Sequence, residues 1–524
     1  MFSDDDQNWM GRRSFLGGTV VTGAARAHGA APSAAGPSCR GPYDVRGFGA
    51  RGDRTSNDTM PFQAAIDACH AAGGGAVYVS PGNYLCGSLF LKSRVTLYLE
   101  AGATVYASTN REDYKDSAWQ LISAQKAEHI SVLGPGVLHG QGTQDLGRRP
   151  GAADEPRPHF RTRVMLLEDC RYVTLRDFTI LYSDSWACHL KRCEKVVVDG
   201  VTIFNNFFRT NSDGIDPDSC RDVRISNCHI TAGDDCICLK THSGIPCEDI
   251  VVTNCTTESI ATAIKLGTGS AGDYRNIAIS NCTVRNSTVG VGFFIKDGGA
   301  IDGVTVSNLT IETLRDPSQV SPERLRNMIY PIFLDIEKRN DDSRIGAIRD
   351  VLLTNIYIHS DNGILMQGMR ESPIENLTLQ NVIFRVTRPF DYRDRKKHAG
   401  GTINPKDDRI TCFARQPSYC TLANVRNVLV DNLKVQVDAD VLEAFPRSAL
   451  AMLNAQGAQL RSVYRTPGGG GPMMELHEVR EAFVTACAAP SGTQTFLRLH
   501  GMKAEDLAME GNDLRRARQA LEWS

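Results

Sequence analysis

The chain has 524 residues, of which 41% are hydrophobic and 23% are charged. This composition is typical of a globular protein and excludes disordered, collagenous and coiled-coil chains. Lysine and arginine number 58 and aspartate and glutamate number 60, so the net charge is −2, which argues against a nucleic-acid partner held by a broad basic face. No run of 18 apolar residues occurs, and we therefore expect no membrane-spanning helix.

The amino-terminal residues have the features of an export signal. Residues 11–17 read GRRSFLG, and the short apolar run that follows ends in the A-x-A sequence of residues 25–27. Paired arginines before an apolar run are typical of twin-arginine signals, and A-x-A is a cleavage pattern. We predict a signal peptide over residues 1–27, a linker over residues 28–42 and a bacterial protein that is periplasmic or secreted. A disordered basic tail is the alternative.

Residues 58–70, DTMPFQAAIDACH, have the features of a helix. Asp58 is a favourable N-cap residue, Pro61 suits the first turn, and the glycines at 73–75 end the segment. A helix at this place would cover the open edge of the sheet predicted below and protect it from aggregation. We therefore predict an N-terminal capping helix.

An eight-residue pattern recurs along the middle of the chain, and its fifth position is usually asparagine. Four successive steps between these fifth positions, from Gly200 to Asn308, are each 27 residues long. Every copy alternates β-branched and polar residues, which indicates strands rather than helices. The nine copies are VTLRDFTI (173–180), VVVDGVTI (196–203), VRISNCHI (223–230), IVVTNCTT (250–257), IAISNCTV (277–284), VTVSNLTI (304–311), VLLTNIYI (351–358), LTLQNVIF (377–384) and VLVDNLKV (428–435).

A β-unit of this length must stack on its neighbours to bury its inner face. We therefore predict an all-β, single-stranded solenoid: a parallel β-helix with three short strands per coil, stacked about 4.8 Å apart. The repeated asparagine suits a sharp bend because it tolerates left-handed geometry and bonds to backbone groups. The domain is predicted to span residues 43–524, with core coils over about 77–435. Residues 436–524 are predicted to form further coils, an excursion over 455–472 and a closing helix over 512–523.

The sequence contains 16 cysteines, which in an exported protein would suggest disulfides. Cys228, Cys255 and Cys282 each follow a repeated asparagine directly, so they recur at one place in successive coils. We interpret them as a stack of buried thiols that fill the core.

Two acidic motifs, NSDGID at 211–216 and GDDC at 233–236, lie about one coil apart. Asp213 precedes Asp234 by 21 residues and Asp235 by 22, so the solenoid should place the three carboxylates side by side. Mutual repulsion should raise at least one pKa and provide a proton donor beside ionised partners. Glycosidic cleavage needs this combination, because one carboxyl protonates the leaving oxygen while another activates water.

Two other interpretations of these acids remain open. A row of solvated aspartates in turns, or a calcium site, would also place acids in neighbouring coils. Asp216 and Asp218 in particular are expected to be turn residues.

The two acidic motifs together resemble glycoside hydrolase family 28, the polygalacturonase-like pectin hydrolases, and residues 43–69 resemble the opening of the same enzymes. The resemblance implies a right-handed β-helix and cleavage with inversion at the anomeric carbon. It also implies that Asp234 is the general acid, while Asp213 and Asp235 hold and activate the hydrolytic water. No metal ion or other cofactor is expected. The residues expected to contact the substrate are Asn211, Lys240, Lys265 and Lys296.

The chain departs from this family at two places. The Gly-His-Gly that the family carries one coil after the acids is absent, and residues 257–263 read TESIATA. The family's Arg-Ile-Lys, which contacts a substrate carboxylate, becomes FIK with Phe294 in place of the arginine. Because phenylalanine cannot make a bidentate contact to a carboxylate, the case for galacturonate at the cleavage subsite is weakened. His242 is a candidate replacement for the missing histidine, with an ordinary surface position as the alternative.

We predict an exported hydrolase that acts as a monomer on a pectic or related plant polysaccharide or oligosaccharide, with no nucleic-acid partner. A β-helix polysaccharide lyase or epimerase acting on uronate polymers is an alternative, and such an enzyme would use a basic residue and commonly calcium. A non-catalytic glycan-binding solenoid is a further alternative, for which removal of Asp234 would have no effect.

Overall fold

A computed structural model describes residues 43–114, 119–145, 160–313, 329–388 and 417–524. All of them belong to one unit that runs from residue 40 to residue 524. The predicted signal peptide and linker lie outside the described residues and stay predictions. In the described part of the chain, no helix is long and apolar enough to cross a bilayer.

The described residues form 37 strands joined in parallel ladders, which we name A, B and C. From β4 to β25, successive strands belong to A, B and C in turn, and each pairs with a strand one coil later. The predicted three strands per coil are therefore confirmed.

Ladder A contains β4 (Leu89–Phe90), β7 (Gln120–Gln125), β10 (Arg163–Glu168), β13 (Cys188–Lys191), β16 (Ile215–Asp218), β19 (Ile237–Thr241), β22 (Thr262–Ser270), β25 (Val289–Ile295), β27 (Tyr330–Ile336), β29 (Ile364–Gln367), β35 (Thr495–His500) and β37 (Gln519–Trp523). Ladder B contains β2 (Gly75–Val79), β5 (Val95–Leu99), β8 (Glu128–Leu133), β11 (Arg171–Arg176), β14 (Glu194–Asp199), β17 (Arg221–Ser226), β20 (Cys247–Thr253), β23 (Tyr274–Ser280) and β36 (Leu507–Glu510).

Ladder C contains β1 (Asp53–Asn57), β3 (Gly82–Cys86), β6 (Ala103–Ala107), β9 (Val137–His139), β12 (Thr179–Leu181), β15 (Thr202–Phe204), β18 (His229–Ala232), β21 (Thr256–Ser259), β24 (Thr283–Val284) and β33 (Tyr464–Arg465). Six long strands cross a bend and serve more than one ladder: β26 (Ala300–Thr313), β28 (Ala347–Ser360), β30 (Ile374–Val386), β31 (Ser418–Val437), β32 (Ser448–Arg461) and β34 (Met474–Thr485). The described helices are α1 (Thr59–Ala71) and α2 (Ala439–Ala444), with 3₁₀ turns at Val45–Phe48, Arg111–Asp113 and Ala504–Asp506.

Inward-facing side chains of successive coils stack in columns. In ladder B, one column is Val196, Val223, Ile250, Ile277 and Val304. Each member is at most 2% exposed, and burial of one such side chain contributes roughly 1.5–3 kcal/mol. The sequence repeat therefore builds the core directly.

The repeated asparagines form the predicted ladder at the bend after ladder B. Left-handed φ values of 53–57° occur at Asn227, Asn254, Asn281, Asn308, Asn355, Asn381 and Asn432. From Asn308 to Asn432, each side-chain amide donates to the side-chain oxygen of the asparagine one coil before, at 3.0–3.2 Å. Asparagine is used here because its side chain lowers the cost of left-handed backbone.

The cysteines also behave as predicted. All 14 described cysteines are buried, and none of them forms a disulfide. The thiols of Cys228, Cys255 and Cys282 each contact the carbonyl two residues earlier, at 3.2–3.3 Å. They are therefore small core residues rather than crosslinks.

The predicted capping helix is α1. It buries Phe62 and Ile66, and the Phe62 ring meets the edge of Tyr84 at a centroid distance of 5.1 Å. Asp58 precedes the helix, but its carboxylate accepts from the amides of Arg51 and Gly52, at 2.7 and 3.0 Å, rather than from the first turn. This aspartate therefore fixes the loop that leads into the helix.

Two predictions for the carboxyl-terminal coils are wrong. Residues 512–523 contain no helix, because β37 adds to β35 and pairs Thr495 with Gln519. The excursion predicted from residue 455 is in its first part strand, since β32 continues to Arg461 in register with β34. An open strand edge offers unpaired backbone groups, and pairing with it outweighs the weak helix propensity of a short charged segment.

Candidate active site

Three carboxylates converge where ladder C turns into ladder A. Asp213 lies two residues before β16, Asp235 lies two residues before β19, and Ile215 of β16 pairs with Ile237 of β19. Because this register aligns the two turns, Asp213 and Asp235 occupy equivalent places on adjacent coils. One oxygen from each of these two and one from Asp234 lie within 4.8 Å of one another. The structure thus brings together all three predicted acids.

Hydrogen bonds between the two turns hold them together. The Ser212 hydroxyl donates to the carbonyl of Arg209 at 2.9 Å and accepts from the amide of Gly233 at 3.2 Å. The side-chain amide of Asn205 donates to the carbonyl of Ser212 at 2.9 Å. Gly233 leaves no room for a side chain, because a Cβ would lie 2.3 Å from the carbonyl oxygen of Asn206. This close approach fixes the spacing of the acids.

The three aspartates differ in exposure. Asp213 and Asp235 are 3% and 2% exposed, whereas Asp234 is half-buried. Oδ2 of Asp234 accepts from the amide of Asn211 at 3.1 Å, and Oδ1 of Asp235 accepts from the amide of Thr262 at 3.1 Å. Asp234 is therefore the acid most open to a ligand, and backbone amides orient two of the three carboxylates.

The electrostatics of this cluster favour a retained proton. Burial raises the pKa of Asp213 well above its usual value, and the charges of Asp216 and Asp234 raise it further. Burial also raises the pKa of Asp216 to about 6. The Lys240 ammonium opposes both shifts, since it lies 3.4 Å from Oδ2 of Asp213 and 3.1 Å from Oδ1 of Asp216. The spacing of the acids predicted a carboxyl group with a raised pKa. Asp213, beside the half-exposed Asp234, is such a group.

The residues expected to contact substrate lie against other protein groups. Lys240 is 6% exposed at the acids just described, and Lys265 donates to Oδ2 of Asp235 at 2.8 Å. Lys296 forms an ion pair with Glu337 of the next coil. Asn211 orients Asp234 through its backbone amide. Their contacts within the protein therefore position the acids or balance charge.

The prediction that Asp216 and Asp218 are solvated turn residues is wrong. Both lie in β16 and are at most 2% exposed. Oδ2 of Asp218 lies 3.0 Å from Nδ1 of His242 and 3.4 Å from Nε2 of His189. Although burial acts in the opposite direction, these hydrogen bonds hold the pKa of Asp218 well below its usual value. The two acids can be buried because Lys240 pairs with Asp216, while the imidazoles of His189 and His242 form hydrogen bonds with Asp218.

Trp186 is the centre of a cationic and aromatic group beside the acids. Lys240 Nζ and the guanidinium carbon of Arg163 lie 4.7 and 4.9 Å from its ring centroid. The rings of His189 and His242 lie at 4.7 and 6.2 Å, and the side chain of His242 is 50% exposed. Sequence reasoning missed Arg163 and His189, because they come from separate coils and no local motif marks them.

An apolar cluster occupies the place where the family resemblance puts an arginine. It is separate from the main core and consists of Val289, Phe294, Tyr330, Phe333 and Leu365. The Phe294 ring lies 5.1 Å from that of Phe333 and 5.0 Å from Nζ of Lys265. Gly292 makes this possible, since a Cβ there would lie 2.5 Å from the Phe294 ring. The wall formed by these five described residues therefore offers no guanidinium of its own to a sugar carboxylate.

The sequence profile of glycosyl hydrolases family 28 matches residues 69–389. A probable polygalacturonase from Vitis vinifera is 29% identical over 214 residues, which cover 37% of this chain and 43% of that protein. An endo-polygalacturonase from Pectobacterium carotovorum subsp. carotovorum is 26% identical over 219 residues, which cover 36% of this chain and 53% of that protein. The chain therefore spans about half the length of these curated relatives, and the resemblance seen in the sequence is confirmed.

Solved structures show the same architecture. An exopolygalacturonase from Thermotoga maritima superimposes with a TM-score of 0.56 at 20% identity, over 66% of this chain and 86% of that one. A polygalacturonase from Erwinia carotovora ssp. carotovora superimposes with a TM-score of 0.53 at 20% identity, over 63% of this chain and 90% of that one. At this identity the likeness concerns the fold alone, and it confirms the predicted right-handed parallel β-helix.

Proposed function

Since this chain belongs to glycosyl hydrolases family 28, we propose that it hydrolyses O-glycosidic bonds of a pectic or related plant polysaccharide by acid–base catalysis. The observation that carries the proposal is the convergence of Asp213, Asp234 and Asp235 from adjacent coils within 4.8 Å. Two carboxyl groups in different environments can share the roles of acid and base. Names of relatives such as polygalacturonase support the pectic substrate class.

Asp234 is assigned as the general acid. It is the half-exposed member of the trio, so its carboxyl can reach the glycosidic oxygen of a bound chain. Protonation of that oxygen by Asp234 lets the leaving sugar depart as an alcohol rather than as an alkoxide. The amide of Asn211, which donates to Oδ2 of Asp234, holds the carboxyl in place.

Asp213 and Asp235 are assigned to the hydrolytic water. One oxygen of Asp213 lies within 4.8 Å of one oxygen of Asp235, a separation that a single water can bridge with two hydrogen bonds. Lys265 and the amide of Thr262 hold the carboxylate of Asp235. As the water attacks the anomeric carbon it gives one proton to this pair, while Asp234 gives one to the leaving oxygen. Proton transfer within the cluster, across at most 4.8 Å, restores the starting state.

The stereochemistry of the reaction is a separate test. We propose inversion on the strength of the family resemblance. Inverting pairs usually have carboxyl groups about 6.5–9.5 Å apart, and the closest oxygens here, within 4.8 Å, are nearer than that. Inversion therefore requires the water to lie beside the carboxylates rather than between them. Proton NMR of the first product settles the matter, because an inverted anomer supports this arrangement and a retained anomer contradicts it.

We propose that the sugar beside Phe294 lacks an ionised carboxylate, as in a methyl-esterified uronate or a neutral pectic sugar. The apolar cluster around Phe294 and the pairing of Lys296 with Glu337 support this choice. Reducing-end release should be compared on polygalacturonate, on highly esterified pectin and on neutral pectic side chains. A preference for unesterified polygalacturonate would contradict this part of the proposal.

A uronate lyase is the second candidate, because the oxygens of Asp213, Asp234 and Asp235 are close enough together to hold a cation. A lyase would require that cation, commonly calcium, and would release an unsaturated product that absorbs ultraviolet light. We expect EDTA to leave turnover intact and the products to be saturated. Loss of turnover with EDTA and recovery with calcium would assign the lyase reaction instead.

We propose that the protein is exported through a twin-arginine signal over residues 1–27 and acts in the periplasm or outside the cell. The GRRSFLG motif supports this proposal. The absence of disulfides among the described cysteines suits a protein that folds before export. Replacement of Arg12 and Arg13 by lysine should leave the protein in the cytoplasmic fraction. Unchanged export of that variant would contradict the proposal.

A further inference from the structure

A guanidinium group with free donors lies beside the acids. Arg163 begins β10 and is half-buried. Its Nη1 lies 3.2 Å from Nδ1 of His189. Its other two guanidinium nitrogens are not buried and have no hydrogen-bond partner among the described residues. On the basis of the hydrolysis proposed above, we propose that Arg163 binds the carboxylate of a uronate sugar beside the cleaved bond.

The basic side chains nearest the acids differ from Arg163 in their partners. The Lys240 ammonium lies 3.4 Å from Oδ2 of Asp213, and Lys265 donates to Oδ2 of Asp235 at 2.8 Å. Arg163 forms no ion pair of this kind within the described part of the chain. A positive charge that is partly removed from water is stabilised by a carboxylate partner. A ligand carboxylate would therefore provide the partner that the protein itself does not.

Three acids act on Arg163 through their charge without bonding to it. Burial lowers the pKa of Arg163, and the charges of Asp216, Asp213 and Asp218 raise it. Lys240 lies against the first two of these acids, and two imidazoles form hydrogen bonds with the third. These contacts balance part of the negative charge that a uronate would meet, and they leave the donors of Arg163 available to a ligand.

Trp186 and His189 hold the guanidinium in one orientation. The guanidinium carbon lies over the Trp186 ring, 4.9 Å from its centroid. Because arginine can only donate, Nδ1 of His189 accepts from it, and Nε2 of His189 carries the proton that faces Oδ2 of Asp218 at 3.4 Å. A guanidinium fixed in this way loses little freedom when its remaining N–H groups bind a carboxylate.

Arg163 and Phe294 lie on opposite sides of the acids. Strand β10 precedes β16 by two coils, and β25 follows β19 by two coils. Two strand spacings are about 10 Å, so sugars on the two sides of the cleaved bond would meet different groups. The preferred bond would then join a uronate on the side of β10 to a sugar without an ionised carboxylate on the side of β25. Partly esterified pectin contains such bonds, since ionised and esterified uronates alternate along it irregularly.

The test measures binding to full-length Asp234→Asn, in which cleavage is suppressed. The ligands contain one galacturonate and one neutral sugar, joined in either order, and each is used as the free acid and as the methyl ester. In calorimetric titrations, one order should bind roughly 10–100-fold more tightly as the free acid, because hydrogen bonds to a charged group are strong. Equal affinity for acid and ester in both orders would overturn the proposal, and this comparison needs no variant of Arg163.

Variants of Arg163 in the same background identify the residue responsible. Arg163→Gln should bind the free acid at least tenfold more weakly and the ester as its parent does. Arg163→Lys keeps the charge but not the fork of donors, so it should retain part of the preference. Arg176→Gln removes an exposed arginine that pairs with Asp199 on ladder B, and this matched control should bind like the parent. A preference for the acid that persists in Arg163→Gln, or equal weakening of acid and ester, would overturn the proposal.

Turnover separates this proposal from the proposed hydrolysis. Wild type should cleave partly esterified pectin faster than fully esterified pectin, and Arg163→Gln should lose this difference. If wild type cleaves no pectic polymer but binds the acid through Arg163, the proposed hydrolysis is wrong and the carboxylate site stands. If wild type cleaves esterified pectin and shows no preference for the acid in binding, the assignment of Arg163 alone is wrong.

Discussion

Two neighbouring regions lie on the same outer face of ladder A but differ in chemistry. The first comprises the coils of β16, β19 and β22, and the second comprises the coils of β25 and β27. Register aligns Cys238, Lys265, Gly292 and Phe333 in a single row across four of these strands. Around the first part of the row lie buried acids and lysines, and around the second part lies the Phe294 cluster. Lys265 is at the boundary, since its ammonium meets both Asp235 and the Phe294 ring.

This difference shows that the two regions depend on different forces. The acidic coils bury charges that are tolerable only because each has a partner on another coil, as Lys240 has in Asp213 and Asp216. The Phe294 cluster contains only hydrophobic side chains and gains its stability from their burial. A substitution in the acidic coils should therefore change charge-dependent properties, whereas one in the apolar coils should change substrate preference.

Among these variants, Asp234→Asn should cause the largest loss of catalytic activity. The amide has nearly the same shape but cannot donate a proton to the leaving oxygen, so kcat should fall by about 10²- to 10⁴-fold with an unchanged melting temperature. Initial rates of reducing-end release provide the measurement. Asp222→Asn is the matched control, because Asp222 lies at the surface in an ion pair with Arg224. If kcat of Asp234→Asn falls less than tenfold, the general acid is a different residue.

Lys240→Met should have the largest effect on stability. It leaves the buried carboxyls of Asp213 and Asp216 without their ammonium partner, and breaking a buried ion pair typically costs about 3–5 kcal/mol. Urea unfolding at neutral pH measures the change. Lys92→Met removes a surface ion pair with Asp67 and should cost about 0–1 kcal/mol. Equal destabilisation by the two variants would show that the acids do not depend on Lys240.

Asp216→Asn should flatten the dependence of stability on pH. The pKa of Asp216 is raised from 3.8 to about 6 in the folded protein, so the folded state binds the proton more tightly than the unfolded state. The resulting stability is fully present below pH 3.8 and is lost as the pH rises through 6. The loss is on the order of 3 kcal/mol. Unfolding free energies between these pH values should fall less in the variant, and a slope equal to that of wild type would contradict the assignment.

Phe294→Arg should have the smallest effect of these variants. It should change substrate preference and so test whether the acidic and apolar regions differ in function. An arginine at this wall can bind a uronate carboxylate, so kcat/KM on unesterified polygalacturonate should rise about tenfold relative to esterified pectin. A lower melting temperature is also expected, because the new charge is buried beside Lys265. Phe294→Leu keeps the wall apolar and should retain the wild-type preference. An unchanged preference in Phe294→Arg would mean that this wall does not contact the substrate.

Some parts of the site could be predicted from the sequence and others could not. The 21- and 22-residue separations of Asp213 from Asp234 and Asp235 were sufficient, because the solenoid converts one coil of sequence into one strand spacing. The burial of Asp216 and Asp218 could not be predicted from the spacing of residues in the sequence. It depends on Lys240, His189 and His242, which approach from neighbouring coils.

The carboxyl-terminal coils show the same limit. Residues 512–523 are rich in charged residues and have no copy of the repeat, so local propensity suggested a helix. The open edge of β35 instead pairs with β37, and an edge is a property of the assembled sheet. His477 and His500 are likewise 23 residues apart, and only the register of β34 with β35 brings their rings together.

The sequence by itself determined the β-helix, because the repeat, the alternation of apolar residues and the asparagine at the bend are local properties that recur through the middle coils. It also determined which acids share a turn. The tertiary structure alone decided which charges are buried together, what lines the wall at Phe294 and where the last strand pairs. These features depend on side-chain contacts and free strand edges between coils, and such contacts have no fixed spacing in the sequence.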